Sequence, residues 1–427
     1  MFVINFFIKN LNDIKKLGLK EFYRKFLILL RVILFIPFSI LGFLFSILIR
    51  LLSPLVLVRV NRLISQRLGH YIAETELYLS EREFDSNKKK YFDIFFYYGP
   101  ICNYYLHKII KKKVLVLPRI LLEPIYLINK TLNLIYKKIG LSINESKYII
   151  PRPECQDRDV NGLFLKSKQK INFFDSDIKK GLETLRKLGV KSNKYVCLAV
   201  RDSNYLDTVF PKGNWKYLDF RNGDIKNYVM AAEELTKRGY YVLRMGKFNK
   251  KQLEPNNPMI IDYSFSKFQS DFMDIYLGGT CSFCISSGFG FDGIPFVFRR
   301  PIAYVYAPLG YLNSFVNNSL AIFKKYYSLK EKKFLNIKEI YSQQLAFNFS
   351  SHSLNQNKIV LVENSPEEIK DLAVEMDHIV NDKLLEGESE KILQQKFWLN
   401  YLELTKKHNI EKMPINKEIN MKICSSF

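Results

Sequence analysis

The chain has 427 residues, of which 48% are hydrophobic and 15% aromatic, so it can build more than one folded core and is not a disordered protein. Lysine and arginine number 65 against 42 acidic residues, and the net charge of +23 favours an anionic partner such as nucleic acid, anionic lipid or a phosphorylated substrate. No motif of a nucleic-acid-binding module occurs, so we expect no nucleic-acid partner. The six cysteines are too sparse for a disulfide-bonded secreted domain.

The first predicted element is an uncharged apolar segment at residues 32–49, close to the minimum length for a membrane-spanning helix. Pro37 and Gly42 interrupt it and basic residues flank it, so a spanning helix, a re-entrant segment and an interfacial anchor all stay open, as does a buried core helix. No cleavage site for a signal peptide follows. We assign residues 1–54 to an anchor that binds anionic lipid at the cytoplasmic face of a bacterial inner membrane.

Strands alternate with helices along the rest of the chain, which predicts an α/β fold with parallel sheets. Apolar runs predict strands at residues 55–60, 91–98, 113–117, 195–200, 240–245, 259–263, 281–286 and 302–306. Capping and periodicity predict helices at residues 177–188, 226–238, 366–380 and 391–404.

Turn-forming residues gather between about 144 and 172, which indicates a boundary between two lobes. We therefore predict an N-terminal lobe at residues 55–172, a C-terminal lobe at 173–384 and a helical tail at 385–427. Both lobes are expected to be Rossmann-like and doubly wound.

Cys281 and Cys284 have the C-x-x-C spacing of redox and metal sites. They lie within an apolar predicted strand, and no second pair of cysteines or histidines completes a zinc site. We interpret both as core residues.

Arginines follow the predicted strands of the C-terminal lobe, where open α/β sheets bind their ligands. Arg201 and Asp202 follow the strand at 195–200, Arg244 ends the next strand, and a polar turn between them contains Arg221 and Asn222. The planar guanidinium group can donate two hydrogen bonds to a phosphate. Surface salt bridges are the alternative for these arginines, and Asp202 could either fix the Arg201 fork or cap the following turn.

A glycine-rich loop at residues 286–293 follows the strand at 281–286, and such loops let backbone N–H groups approach a phosphate. Its candidate donor-binding residues are Ser286, Ser287, Gly288, Gly290 and Asp292. The pattern also occurs in ordinary turns, and it is the arginine in the same sheet that favours a phosphate site.

Several longer motifs resemble glycosyltransferases from bacterial surface-polysaccharide (O-antigen and capsule) gene clusters. They extend from R-L-G-H at residue 67 to E-N-S-P-E-E-I at residue 363. Between these lie V-R-D-S-x-Y-L at 200–206, Y-x-D-F-R-N-x-D-I at 217–225, R-M-G at 244–246, I-I-D-Y at 260–263, S-D-F-M-D-I-Y-L at 270–277 and F-R-R-P at 298–301.

This resemblance implies a GT-B fold, with a nucleotide-sugar donor in the C-terminal lobe and the acceptor in the cleft. The V-R-D element is also similar to the H-x-R element of fucosyltransferase-like enzymes, whose arginine contacts the donor diphosphate; Ala199 stands here in place of the histidine, so GDP-fucose is not implied. His70 is our candidate general base, with Glu74 and Glu76 as its nearest substitutes and simple packing or capping as the alternative role.

We therefore predict a glycosyltransferase that moves a hexosyl or deoxyhexosyl group from a nucleotide sugar to a lipid-linked or polysaccharide acceptor. The candidate catalytic residues are His70, Glu76, Arg201 and Asp202, and the candidate donor-binding residues are Arg221, Asn222, Arg244 and those of the loop. GT-B enzymes generally need no bound metal, so we expect neither a metal nor another cofactor. The alternatives are a non-catalytic membrane scaffold and a nucleic-acid binder.

Overall fold

The chain's structure is a computed structural model that describes residues 18–85, 91–140, 145–150, 159–306, 309, 319–347, 350–383, 387–408 and 421–424. The predictions made for residues 1–17 and for the turn formers at 151–158 lie outside the described residues.

The chain forms two compact units, each assembled from separate stretches of sequence. The smaller unit comprises residues 1–62, 87–98 and 114–151, and the larger comprises residues 63–86, 99–113 and 152–427. The sequence places 63–86 and 99–113 in an N-terminal lobe, whereas their contacts place them in the larger unit.

The strands of the described chain are β1 Leu57–Leu63, β2 Tyr91–Tyr97, β3 Leu115–Val116, β4 Tyr195–Ala199, β5 Tyr241–Arg244, β6 Ile260–Ile261, β7 Phe283–Ser286, β8 Ile302–Tyr306, β9 Ser319–Phe323, β10 Lys325–Ser328, β11 Lys333–Phe334, β12 Ile359–Val362 and β13 Met421–Ile423.

The helices are α1 Leu19–Leu52, α2 Leu68–Phe84, α3 Tyr104–Lys111, α4 Arg119–Lys138, α5 Leu163–Lys166, α6 Asp175–Lys187, α7 Asn204–Val209, α8 Val229–Lys237, α9 Asp271–Thr280, α10 Gly293–Val297, α11 Ile337–Ser342, α12 Ser351–Gln356, α13 Pro366–Val380 and α14 Glu388–His408. The prediction of an α/β chain with parallel sheets and one apolar N-terminal helix is confirmed.

The smaller unit contains α1, α4 and the sheet β1-β2-β3, in which β2 and β3 are parallel. Its core joins Ile49 of α1 and Leu122 of α4 to sheet residues such as Val60 and Phe96. Within α1, residues Ile33–Leu52 form a 20-residue stretch with a mean hydropathy of 2.3, and among the described helices this is the one long and apolar enough to cross a membrane.

The larger unit is built on a parallel sheet in the order β13-β9-β8-β7-β4-β5-β6. The chain adds β5 and β6 on one side of β4 and then β7, β8 and β9 on the other. The space between the ends of β4 and β7 is therefore a topological switch point, where doubly wound sheets bind ligands beyond the carboxyl ends of their strands. β13 comes from the segment predicted to be a helical tail.

Helices cover both faces of this sheet because side chains alternate along each buried strand. Val196 and Leu198 of β4 pack against α8 and α13 in one core. On the opposite face, Tyr195 donates a hydrogen bond through its hydroxyl to the carbonyl of Leu277 in α9, at 3.0 Å. A separate antiparallel sheet, β11-β10-β12, also belongs to the larger unit.

The local sequence explains where α13 begins. The Ser365 hydroxyl accepts a hydrogen bond from the N–H of Glu368, the Glu368 carboxylate accepts one from the N–H of Ser365, and Pro366 occupies the first turn of α13. Cys281 and Cys284 are fully buried in the core beside α9 and β7, as the sequence predicted.

Leu235→Ala tests the packing of α8 on the sheet. Leu235 is 0% exposed, so we expect its truncation to lower the free energy of unfolding by about 2–5 kcal/mol. Met230→Ala, at a position of the same helix that is 40% exposed, should change it by about 0.5 kcal/mol at most. Chemical denaturation of both variants measures the difference, and equal effects would contradict this packing.

Candidate functional site at the switch point

Arg201 lies beyond the end of β4, two residues after the last buried strand position. Its backbone N–H donates a hydrogen bond of 2.8 Å to Oγ of Ser287, and the N–H of Ser287 donates one of 3.0 Å to the carbonyl of Ala199. Ala199 and Ser286 are register partners, so β4 and β7 end side by side. The structure thus brings Arg201 and Ser287 together at the switch point.

The polar turn before α8 contacts the same arginine. The Arg201 guanidinium donates to the carbonyl of Leu218 at 3.2 Å and to Oδ1 of Asn222. The N–H of Gly223 donates to the Arg201 carbonyl at 3.0 Å. The Arg221 guanidinium donates to the carbonyl of Gly288, which lies in the glycine-rich loop. Arg201, Arg221 and Asn222 therefore lie in one cluster.

A third cation, Lys324, lies in this cluster although the sequence did not indicate it. Lys324 follows β9, is 6% exposed and donates to the carbonyls of Phe220 at 3.2 Å and Asn222 at 2.5 Å. Its Nζ lies 3.6 Å from a carboxylate oxygen of Glu363. The amine therefore holds the turn that carries Arg221.

Burial of these cations is unfavourable for their charges. Burial, and secondarily the positive charge of Arg221, lowers the pKa of Arg201 to about 10. Burial also lowers the pKa of Lys324, with Glu363 opposing that shift and Arg201 adding to it. Like charges held together in a desolvated place are stabilised when an anion binds among them. A phosphate group has the negative charge and the acceptor oxygens that such cations bind.

The glycine-rich loop holds its own shape with two of the residues predicted to bind the donor. Ser286 donates through its hydroxyl to Asp292 and accepts from the N–H of Gly288 at 3.0 Å. Asp292 also accepts from the N–H of Phe289 at 2.9 Å. These two N–H groups are therefore already paired inside the loop. The contacts favour a loop-stabilising role for Ser286 and Asp292, and their donor-binding role stays a prediction.

α2 packs directly on this loop through glycines. A side chain on Gly69 would bring its Cβ within 3.0 Å of Gly290, and one on Gly293 would bring its Cβ within 2.9 Å of Gly69. Backbone therefore meets backbone here, which positions the next residue, His70, beside the loop. Gly290 thus has a packing role, and its donor-binding role stays a prediction.

His70 has the setting of a general base. Its Nδ1 lies 2.9 Å from Oε1 of Glu74, one turn later in α2, and its side chain is 28% exposed. A carboxylate at Nδ1 favours the tautomer that keeps the proton there, so Nε2 carries the lone pair that can accept another. Glu74 is thus a positioning residue for His70, and the base role stays a prediction.

Three other predicted site residues have structural roles. Glu76 is fully buried and accepts from the N–H groups of Lys170 and Ile171, each at 2.9 Å, and from Arg299 at 3.0 Å, so no acceptor hydroxyl can reach it. Burial raises its pKa, against the opposing charge of Arg299. These contacts favour a structural role for Glu76, and its catalytic role stays a prediction.

Arg244 also has partners within the protein. It forms a buried ion pair of 2.9 Å with Asp262 and donates a hydrogen bond to the carbonyl of Lys251 at 2.6 Å. These contacts favour a structural ion pair, and the donor-binding role of Arg244 stays a prediction. Asp202 accepts from the N–H groups of Asn204 and Lys250, each at 2.9 Å. It therefore caps turns, which is the alternative that the sequence left open, rather than holding the Arg201 fork.

Among the described residues, no group of three or more His, Cys, Asp or Glu side chains is arranged to hold a metal ion. The expectation that the protein needs no metal stays a prediction.

Comparison with known proteins finds likeness only in structure. No family model and no curated protein matches the sequence. A glycosyl transferase of family 9 from Veillonella parvula DSM 2008 is 10% identical, with a TM-score of 0.43, over 76% of this chain and 97% of that one. The ADP-heptose LPS heptosyltransferase II of E. coli is 10% identical, with a TM-score of 0.38, over 76% of this chain and 100% of that one. We infer the chemistry of this chain from its own residues.

Glu76→Ala should destabilise the protein strongly, by about 3–5 kcal/mol, because it leaves the partly buried Arg299 without its carboxylate partner and two N–H groups without an acceptor. Glu83→Ala is the matched control, since Glu83 lies on the same helix and forms a partly exposed ion pair with Lys170 at 2.7 Å. It should cost about 1 kcal/mol at most. Chemical denaturation measures the stability of both variants. A Glu76→Ala protein as stable as wild type would contradict the structural role of Glu76 and favour the catalytic one.

Asp292 should make stability depend on pH. Burial raises its pKa to about 7, with its hydrogen bonds opposing the shift. Below the unfolded pKa of about 4, the carboxyl group is protonated in both states and its contribution to folding is fully present. As pH rises to about 7, the unfolded state loses the proton first, so this contribution is lost. The melting temperature of wild type relative to Asp292→Asn should therefore fall between about pH 4 and 7 and level off above. A difference that is constant with pH would contradict this assignment.

Proposed function

We propose that this protein is a glycosyltransferase of the GT-B type that binds the diphosphate of a nucleotide-sugar donor at the switch point of its larger unit. The observation that carries the proposal is the group of buried or half-buried cations, Arg201, Arg221 and Lys324, at the carboxyl ends of parallel strands. The motifs that resemble surface-polysaccharide glycosyltransferases support the same conclusion.

The chemistry follows from these groups. Nε2 of His70 takes the proton of an acceptor hydroxyl, and the resulting oxygen attacks the anomeric carbon of the donor sugar. The bond from that carbon to the diphosphate breaks, and its electron pair leaves with the nucleoside diphosphate. The guanidinium groups of Arg201 and Arg221 stabilise the negative charge that develops on the leaving group.

We further propose that the acceptor is a lipid-linked or polysaccharide glycan and that the enzyme works at the cytoplasmic face of the bacterial inner membrane. The long apolar helix α1 and the net charge of +23 support membrane association. A hexosyl or deoxyhexosyl group is the proposed cargo, in synthesis of a surface glycan.

Nucleotide binding with two arginine variants tests this function. The melting temperature of the purified protein in EDTA should rise with one nucleoside diphosphate among UDP, GDP and dTDP or with its sugars, and not with CMP, which has a single phosphate, since a ligand of the folded state stabilises it by mass action. Arg201→Lys keeps the charge but loses the planar fork, which should weaken that affinity by about tenfold or more. Arg244→Lys is the control, because its arginine lies at the next strand end but pairs with Asp262.

We expect Arg244→Lys to lower the melting temperature and leave nucleotide affinity unchanged. If every nucleotide leaves the wild-type melting temperature unchanged, the donor site is wrong and a non-catalytic scaffold is favoured. If nucleotide binds but Arg201→Lys retains full affinity, Arg201 is not part of the site.

A further inference from the structure

The second half of α1 is attached to α4 within the smaller unit. Gly42 and Ser46 are buried at a spacing of one helical turn, and a Cβ on Gly42 would lie 2.5 Å from Cβ of Pro124 in α4. The Arg50 guanidinium donates to Oδ1 of Asn129 in α4 at 2.9 Å, and it lies 4.5 Å from the ring centre of Tyr148. This half of α1 is therefore part of a folded unit that has a polar side.

This attachment limits how α1 can meet a bilayer. The uncharged part of α1 on the N-terminal side of Gly42 reaches back only to Arg31, a length of about 15 Å at 1.5 Å per residue. The hydrocarbon core of a bilayer is about 30 Å thick. A span by the whole uncharged run, residues 32–49, about 27 Å long, would place Gly42 near the middle of the hydrocarbon. Pro124 of α4 lies against Gly42, so the neighbouring ion pair of Arg119 and Glu123 would enter the hydrocarbon too, which is unfavourable.

The outward face of α4 is apolar where an exposed helix is normally polar. Ile120, Leu127 and Leu134 are spaced two turns apart along one stripe and are 46%, 44% and 53% exposed. The opposite side of the helix is buried, with Leu122 and Ile125 in the core of the smaller unit. Apolar side chains of α1 in the same unit are exposed as well, such as Leu44, Phe45 and Leu48.

The charges of α4 fit an anionic surface. Its basic residues are Arg119, Lys130, Lys137 and Lys138, and Glu123 is its acidic residue. Glu123 is neutralised by a bidentate pair with Arg119, with the nearest contact at 2.6 Å, which leaves the charge of the lysines in excess. Apolar side chains beside lysines are typical of helices that lie in the headgroup region of anionic membranes.

We propose that α1 and α4 together form a monotopic membrane-contact surface that lies in the plane of an anionic bilayer and does not cross it. The occupant of this surface is lipid, because it continues from a helix of membrane-spanning hydropathy and carries lysines beside its apolar stripe. The inference deepens the membrane association of the proposed function. Its tests are independent of the donor site, whose nucleotide-induced rise in melting temperature is measured on the same variants.

Tryptophan quenching locates α4. Leu127→Trp is mixed with phosphatidylcholine vesicles containing phosphatidylglycerol and lipids brominated near the headgroup or near the chain end, and its fluorescence is compared with wild type. We expect clear quenching, stronger with bromine near the headgroup. Leu329→Trp is the control, since Leu329 is 53% exposed in the larger unit, and it should show no added quenching. Absence of added quenching at position 127 would overturn the proposal.

Protease protection decides between in-plane and spanning geometry. With full-length protein bound to preformed vesicles, a tag added before residue 1 should be removed completely by external protease, since both ends of α1 stay on one side. A protected tag would overturn the in-plane geometry.

A triple variant tests lipid against a second copy of the chain. Combining Ile120→Ser, Leu127→Ser and Leu134→Ser should weaken flotation with anionic vesicles by at least fivefold, without changing the nucleotide-induced rise in melting temperature. If it instead converts a dimer to a monomer in lipid-free solution and leaves flotation unchanged, the stripe is a protein interface and the lipid assignment is wrong.

Discussion

The hydrogen bonds between the ends of β4 and β7 hold the whole candidate site together. These strands do not follow each other in the chain, yet they end in register, and the N–H groups of Arg201 and Ser287 cross-link their ends. The arginine side chain is thereby presented at the switch point of the sheet. The polar turn, Lys324 and the glycine-rich loop are all arranged around that fixed guanidinium. A parallel sheet thus determines which residues meet, although they are far apart in sequence.

The cation cluster shows a conflict between folding and binding. Three basic side chains that would each prefer water are held near one another, and the lowered pKa values of Arg201 and Lys324 record that cost. Sites of this kind are common where a protein binds an anion, because the unfavourable charge arrangement is already formed before the ligand arrives. Polar groups that are paired within the protein stabilise the surrounding framework instead. Examples are the hydrogen bond between Ser286 and Asp292 and the ion pair of Arg244 with Asp262.

Much of this arrangement could be predicted because it depends on local patterns. The apolar runs around β4, β5, β7 and β8, the capping box of α13 and the arginine at the strand end are all visible in sequence. Lys324 was missed because β9 was not predicted, and only the buried position after that strand makes the lysine notable. Glu76 and Arg244 illustrate the opposite case, because an ionisable residue in a suitable segment looks available in the sequence until its partner, distant in the chain, is known.

The close backbone contact of Gly69 with Gly290 and Gly293 affects how this protein could be divided or recombined. The larger unit includes residues 63–86 and 99–113 from the early part of the chain, so it is not formed by one continuous stretch of sequence. A fragment that begins at residue 173 would lack α2 and α3 and would expose the surface on which α2 packs. A chimera made by exchanging the C-terminal half with that of another enzyme would join a foreign glycine-rich loop to this α2. Such an exchange can preserve the contact between α2 and the loop only if residues 63–86 and 99–113 are exchanged together with the sheet.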